Sequence, residues 1–236
     1  MPPSKSQMHV LPGDPPIEVL LRRSTRARRF SLRVSRADGR VSLSLPVWAA
    51  EDEALDFLRT RETWLRGHVS AAPKQKRPVL GGMFPIFGTD RPILPGPGRA
   101  ARFDGKVIRV PNGPQLGPRL RVLLRALARE RLARAVASHA ESLGRGYGRI
   151  TLRDPRSRWG SCTSNGNLMF SWRLVMAPPE ILDYVAAHEV AHLVEMNHSD
   201  RFWKLCHQLC PATPEHRIWL RQEGPQLQSW SFDGTA

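Results

Sequence analysis

Cysteine is scarce in this chain: three residues (Cys162, Cys206 and Cys210) in 236. That number cannot build a disulfide framework, and it fits a reducing compartment. Long apolar runs are missing too. No stretch of about 18 apolar residues occurs, which excludes a membrane-spanning helix, and no apolar run of signal-peptide type opens the chain. The expectation is a soluble cytoplasmic protein. No glycine-rich phosphate loop and no two-metal carboxylate cluster can be read, which argues against nucleotide-hydrolase classes built on them. Acid is in short supply as well. Asp and Glu number 21 against 36 Lys and Arg, leaving a net charge of +15. Such an excess attracts polyanions or acidic substrates over long range.

What is present suffices for one large domain or two small ones, with 41% hydrophobic residues to build a core. Residues 1–15 read as a flexible tail. Residues 16–112 read as an N-terminal β-rich subdomain with one helix. Phe30, Leu32 and Val34 alternate with polar residues, as do Val41, Leu43 and Leu45, and Asp38-Gly39 between them signals a hairpin. Arg22, Arg23, Arg26, Arg28, Arg29, Arg33, Arg36 and Arg40 crowd that hairpin. They read either as a solvated face that blocks edge aggregation or as a docking surface for nucleic acid or another polyanion. One helix is expected from Glu51 to about Val69, with Leu55, Leu58, Trp64 and Leu65 near one face. Short strands follow around Met83–Phe87 and Pro92–Leu94, then a hairpin across Asp104-Gly105.

A boundary near residue 113 opens a second domain, 113–236. A long helix is expected from about Pro118 to Leu143, burying Leu120, Leu123, Leu127, Val136 and Leu143, with His139 a satisfied core histidine. Ile150 and Leu152 start a small sheet, and Asn165-Gly166 turns a hairpin between about Ser157–Thr163 and Asn167–Trp172. Pro178-Pro179 opens the next helix. Further helices are expected over roughly Arg201–Leu209 and near His216–Gln222.

The helix after Pro179 carries His188-Glu189-Val190-Ala191-His192, followed by His198. Histidines four apart share one helix face and can converge on one zinc ion, while Glu189 can reach a water without taking a metal position. His198 joins them only if the helix stops. Asn197 can supply a left-handed ending, and Ser199 or Asp200 can cap a new helix. Glu195, seven residues past His188, is the rival third ligand or a hydrogen-bond support. Three ligands leave one position open, as catalytic zinc sites do. Arg158, Trp159, Arg173 and Tyr184 are candidates for substrate contact, oxyanion stabilisation or ligand support. Cys206 and Cys210 flank His207 and could form a second metal site, but buried free thiols on a helix face are the simpler reading. Cys162 makes a poor nucleophile beside a metal-activated water.

Arg158-Trp159-Gly160-Ser161-Cys162, Trp172-Arg173-Leu174, Ala177-Pro178-Pro179, Asn197-His198-Ser199 and Arg201-Phe202-Trp203 accompany these histidines. This run resembles the YgjP-like metallopeptidase family, itself similar to SprT-like zinc proteases. The resemblance implies an α+β fold with a zincin-like catalytic domain, a small antiparallel sheet packed on zinc-binding helices. It implies one Zn2+ on His188, His192 and His198, and Glu189 as general base. The histidine spacing equals that of metzincins, but Glu195 stands where those need glycine. The expected activity is zinc-dependent cleavage of peptide bonds in a peptide or protein substrate, with no membrane partner. Two alternatives stay open: a metal-dependent nucleotide phosphohydrolase, and a nucleic-acid-associated protein whose metal is structural and has a closed fourth ligand.

Overall fold

A computed structural model describes residues 6–35 and 38–233. The chain is a mixed α+β protein with small sheets and seven α-helices among those residues. It divides into two compact units, Met1–Lys74 and Gln75–Ala236. The division therefore falls well before the expected boundary near residue 113.

In the first unit, β1 (Ser6–Leu11), β2 (Ile17–Ser24), β3 (Ser31–Val34) and β4 (Val41–Pro46) form one sheet in the order β1-β2-β4-β3. Residues 6–11, expected within the tail, thus pair antiparallel with β2. The β3–β4 hairpin matches the expected register, Leu32 facing Leu43 and Val34 facing Val41. Gly39 takes φ 68 at its turn, where a side chain would be strained. Arg36 lies outside the described residues. Two helices replace the single one expected: α1 (Glu51–Thr60) and α2 (Glu62–Ser70) meet at Arg61, whose φ −109 and ψ 9 break the helical run. Leu58 and Leu65 are buried against Val19, Leu21, Leu43 and Leu45, whereas Trp64 stays exposed and stacks on His68 one turn later.

The second unit opens with β5 (Met83–Ile86), β6 (Thr89–Pro95), β7 (Arg102–Phe103) and β8 (Ile108–Val110), ordered β5-β6-β8-β7. Both four-stranded sheets have the same pattern: an antiparallel pair, a parallel pairing of the second and fourth strands, and an antiparallel third strand on the outer side. Each is followed by helix. The tight turn between β5 and β6 places both Phe87 (φ 53) and Gly88 (φ 73) in the left-handed region, as a two-residue hairpin of this hand requires. Its backbone amides donate to the carbonyls of Val175 and Met176, at 2.8 and 3.2 Å. These bonds tie the second sheet into the second unit.

The long helix α3 (Leu116–Ser142) buries Leu120, Leu124, Ala128, Leu132, Val136 and Ala140, an i+4 stripe. Leu123 and Leu127, expected in the core, lie at the stripe's edge, and Leu143 falls just past the helix. His139 is buried and hydrogen-bonded to Asp183 at 3.0 Å. A third sheet holds β9 (Ile150–Arg153), β10 (Gly160–Cys162) and β11 (Leu168–Ser171) in the order β10-β11-β9. It is mixed, not purely antiparallel: β10 and β11 make the expected hairpin, but β9 runs parallel to β11. A 3₁₀ turn over Trp172–Met176 leads into α4 (Pro179–Ala191), with Pro179 at its start as expected. The chain continues through α5 (Asp200–Leu209), α6 (Thr213–Gln222) and α7 (Gly224–Gln228). No helix among the described residues is long and apolar enough to cross a membrane.

Candidate metal centre

The apolar α4 helix is buried on nearly every side, so its two histidines and Glu189 are polar groups in a packed setting. Such groups need partners. The helix ends at Ala191, earlier than the Asn197 break expected from the sequence. His192 occupies the cap position in right-handed geometry, and tight turns carry the chain through Leu193, Val194 and Glu195. Asn197 is not left-handed: Phe87 is the only non-glycine residue with positive φ among those described. Instead the amide of Ser199 donates to the carbonyl of Asn197 at 2.8 Å, closing a three-residue turn on His198. The Ser199 hydroxyl then accepts from the Phe202 amide at 3.3 Å and caps α5, as expected.

These turns bring His198 back over α4. One ring nitrogen from each of His188, His192 and His198 lies within 4.8 Å of the others. Nε2 of His188 and Nε2 of His198 are 3.1 Å apart. His192 places Nδ1 2.9 Å from the Glu195 carbonyl oxygen, which leaves Nε2 for the centre. The Glu195 backbone thus supports a histidine, while its carboxylate is not part of the converging group. Phe202 stacks on His192 with centroids 4.3 Å apart, and Trp203 lies 5.6 Å from His198 and 5.9 Å from His188. Burial, with the neighbouring imidazoles, lowers the pKa of His188 to about 3. Burial also lowers that of His192, against the pull of the Glu195 carbonyl. Imidazole nitrogens converging in this way suit a divalent transition-metal cation. Nδ1 of His188 is buried without a hydrogen-bond partner, so this ring is oriented by packing rather than by the polar support His192 has.

A cleft of about 390 Å³ opens on the three histidines. Glu189 lines it beside them, and burial pushes its carboxyl up to about 8, opposed by the Arg158 charge. A cation in the cleft would oppose that rise further. Gly160 on β10 makes room for this carboxylate. A Cβ added there would stand 2.6 Å from Glu189 Cγ and 2.7 Å from Cδ. A glycine inside a strand is a signal of close approach, and it could have been read from the sequence.

Of the remaining sequence candidates, Arg158, Trp159 and Tyr184 line the cleft. The Trp159 indole also packs over Gly224, where an added Cβ would lie 2.9 Å from Cζ2. Tyr184 is buried one turn before His188, its ring 6.1 Å from that imidazole, and burial raises its pKa. Arg173 does not reach the cleft. It is 2% exposed, forks onto the Asp154 carboxylate at 2.6 and 3.1 Å, and donates to the carbonyls of Leu227 and Trp230. Its guanidinium ties the β9 end to the C-terminal segment. Cys162 lines the cleft with its thiol pKa raised by burial and by Glu189, unlike an activated nucleophile. Cys206 and Cys210 are buried, and His207 between them is exposed, so no second metal group forms among the described residues. Val185, Met196 and Leu220 line the cleft from positions that local sequence does not mark.

The family model of the YgjP-like metallopeptidase domain matches residues 28–223. No curated protein matches the chain. Among solved structures, the crystal structure of the metallopeptidase zymogen of Pyrococcus abyssi abylysin is similar to part of the chain. The alignment covers 39% of this chain and 95% of that one, at 19% identity and a TM-score of 0.36. A likeness that low carries no inference about this chain.

Proposed function

Because the chain belongs to the YgjP-like metallopeptidase family, we propose that it is a zinc-dependent peptidase in which His188, His192 and His198 hold the metal and Glu189 is the general base. The observation that carries this reading is the convergence of three imidazole nitrogens within 4.8 Å, in a cleft also lined by a buried carboxylate. When bound, zinc acidifies water and polarises a carbonyl group. Glu189 takes the proton of the attacking water and hands it to the leaving amine. Its carboxylate lies against Gly160, and the Arg158 charge favours its ionised form. Arg158 and Tyr184 line the cleft, and on this reading they bind or polarise the substrate, while Glu195 steadies His192 through its carbonyl.

Substrate orientation follows from the sheet. β10 is an edge strand whose residues line the cleft. An extended peptide can pair with its free side through main-chain hydrogen bonds, with little demand on side-chain sequence. Among the described residues no fourth His, Cys, Asp or Glu joins the three imidazoles, which supports an open position over a closed structural site. The catalytic zincin-type domain of this proposal is the whole unit Gln75–Ala236, larger at its start than residues 113–236.

The test is metal removal. Purified protein should cleave unfolded protein or long peptides, lose that activity on chelation, and recover it with one equivalent of zinc. Nucleoside triphosphates should be left intact. Triphosphate hydrolysis without peptide cleavage would overturn the reading. A second expectation concerns Gly160→Ala, whose Cβ must displace the Glu189 carboxylate. A misplacement of about 1 Å can cost about 100-fold. We expect kcat/KM on peptides to fall on the order of 10- to 100-fold with zinc content unchanged.

A further inference from the structure

Helices α1 and α2 cover one face of the first sheet, burying Leu21, Leu43 and Leu45. The other face displays a different set, fixed by register. Arg22 stands beside Ser44, which stands beside Ser31, one row across three strands. In the next row Leu20 stands beside Ser42, and Ser42 beside Arg33. Met8 and Val10 on β1 share this face, each 54% exposed, as does the exposed Glu18 of β2, which stands opposite Val10. Arg22 and Arg33 lie among the hydroxyls of Ser31, Ser42 and Ser44, a donor set that suits phosphate oxygens.

Two observations at one end of this sheet narrow the ligand. The segment after β2 exposes Arg26, Arg28 and Arg29, none of which makes an ion pair among the described residues. At the same end, the turn after β4 exposes Trp48 by 75%. That turn is held in place: Arg23 Nη1 donates to the carbonyls of Val47 and Ala49, at 3.2 and 2.7 Å, on either side of the tryptophan. An indole this exposed, on a turn whose backbone is held and at the sheet end that also carries Arg26, Arg28 and Arg29, has little packing role. It is a platform on which an unpaired base can stack.

We propose that the N-terminal unit binds single-stranded nucleic acid, with phosphates on the Arg22–Ser44 and Ser42–Arg33 rows and the Arg26–Arg29 segment, and a base on Trp48. A duplex keeps its base faces inside the stack and has nothing to offer Trp48. An acidic protein satisfies the arginines but leaves the indole unused. The proposal is independent of the peptidase reading.

The test uses the full-length protein and fluorescence anisotropy of labelled single strands of about 20 nucleotides, DNA and RNA, with a duplex of the same length and polyglutamate as competitors. A single strand should bind, and Trp48→Ala should weaken it about tenfold, with Trp48→Phe retaining most of the affinity. The double variant Arg22→Gln, Arg33→Gln should flatten the plot of log K against log salt by roughly 1.4, about 0.7 per lost phosphate contact. This second variant decides the matter should Trp48→Ala not fold. No binding at about 50 mM salt would overturn the proposal. So would equal affinity for the duplex, displacement by polyglutamate as effective as by the single strand, or binding unchanged in both variants.

Discussion

Replacing Glu189 by Gln should lower the rate of peptide hydrolysis by about 100- to 10,000-fold, the usual contribution of a positioned base. The side chains have the same shape, and the glutamine amide fits the space beside Gly160 where the carboxylate lies. What is lost is the ability to accept a proton. The carboxylate is buried, so no exposed acid substitutes for it; among the described residues Glu189 is the one acid lining the cleft. Zinc content should stay at one per chain. The melting temperature should hold or rise, since a buried carboxyl is exchanged for a neutral amide. Single-turnover assays on a quenched long peptide, with metal analysis on the same sample, check both halves. A variant within threefold of the parent rate would remove Glu189 from the chemistry.

The second large effect belongs to His192. It is nearly buried, stacked on Phe202 and fixed through Nδ1 by the Glu195 carbonyl. His192→Ala should abolish both stoichiometric zinc and peptidase activity. Truncation also loses packing, so stability alone does not report on the metal. The informative quantity is the change on chelation. A ligand present at about 100 to 1,000 times its Kd stabilises by about 2.7 to 4.1 kcal/mol. For a unit of this size that is on the order of 10 °C in melting temperature. The parent should lose that amount when zinc is stripped, and the variant should not respond. Equal responses would mean that His192 does not bind the metal.

The part of the site carried by one helix is legible in the sequence. Four-residue spacing puts His188 and His192 on one face whatever surrounds them, and the Ser199 cap needs only its own turn. The return of His198 is legible as a need, but not in its route. No glycine or asparagine takes a left-handed conformation there; the turn is closed by backbone bonds after Ala191 and around His198. Local residue preference does not encode such bonds. Arg173 escapes a sequence reading for a related reason. A charged residue near a catalytic motif suggests substrate contact, but its partners, Asp154, Leu227 and Trp230, lie 19 to 57 residues away. The unit boundary is hidden likewise. Proline and glycine near residue 113 mark a loop, while the bonds from Phe87 and Gly88 to Val175 and Met176 join the segments on either side of that loop. The hairpin turns at Gly39, Gly105 and Gly166 are visible because each requires positive φ. The parallel pairing of β9 with β11 leaves no such mark.

Anomalous diffraction at the zinc edge, on crystals of the purified protein, tests the metal centre most directly. One peak is expected at about 2.0–2.1 Å from Nε2 of each of His188, His192 and His198, with no fourth side chain in bonding range. A peak that His198 does not touch, or one closed by a fourth protein ligand, would contradict the account.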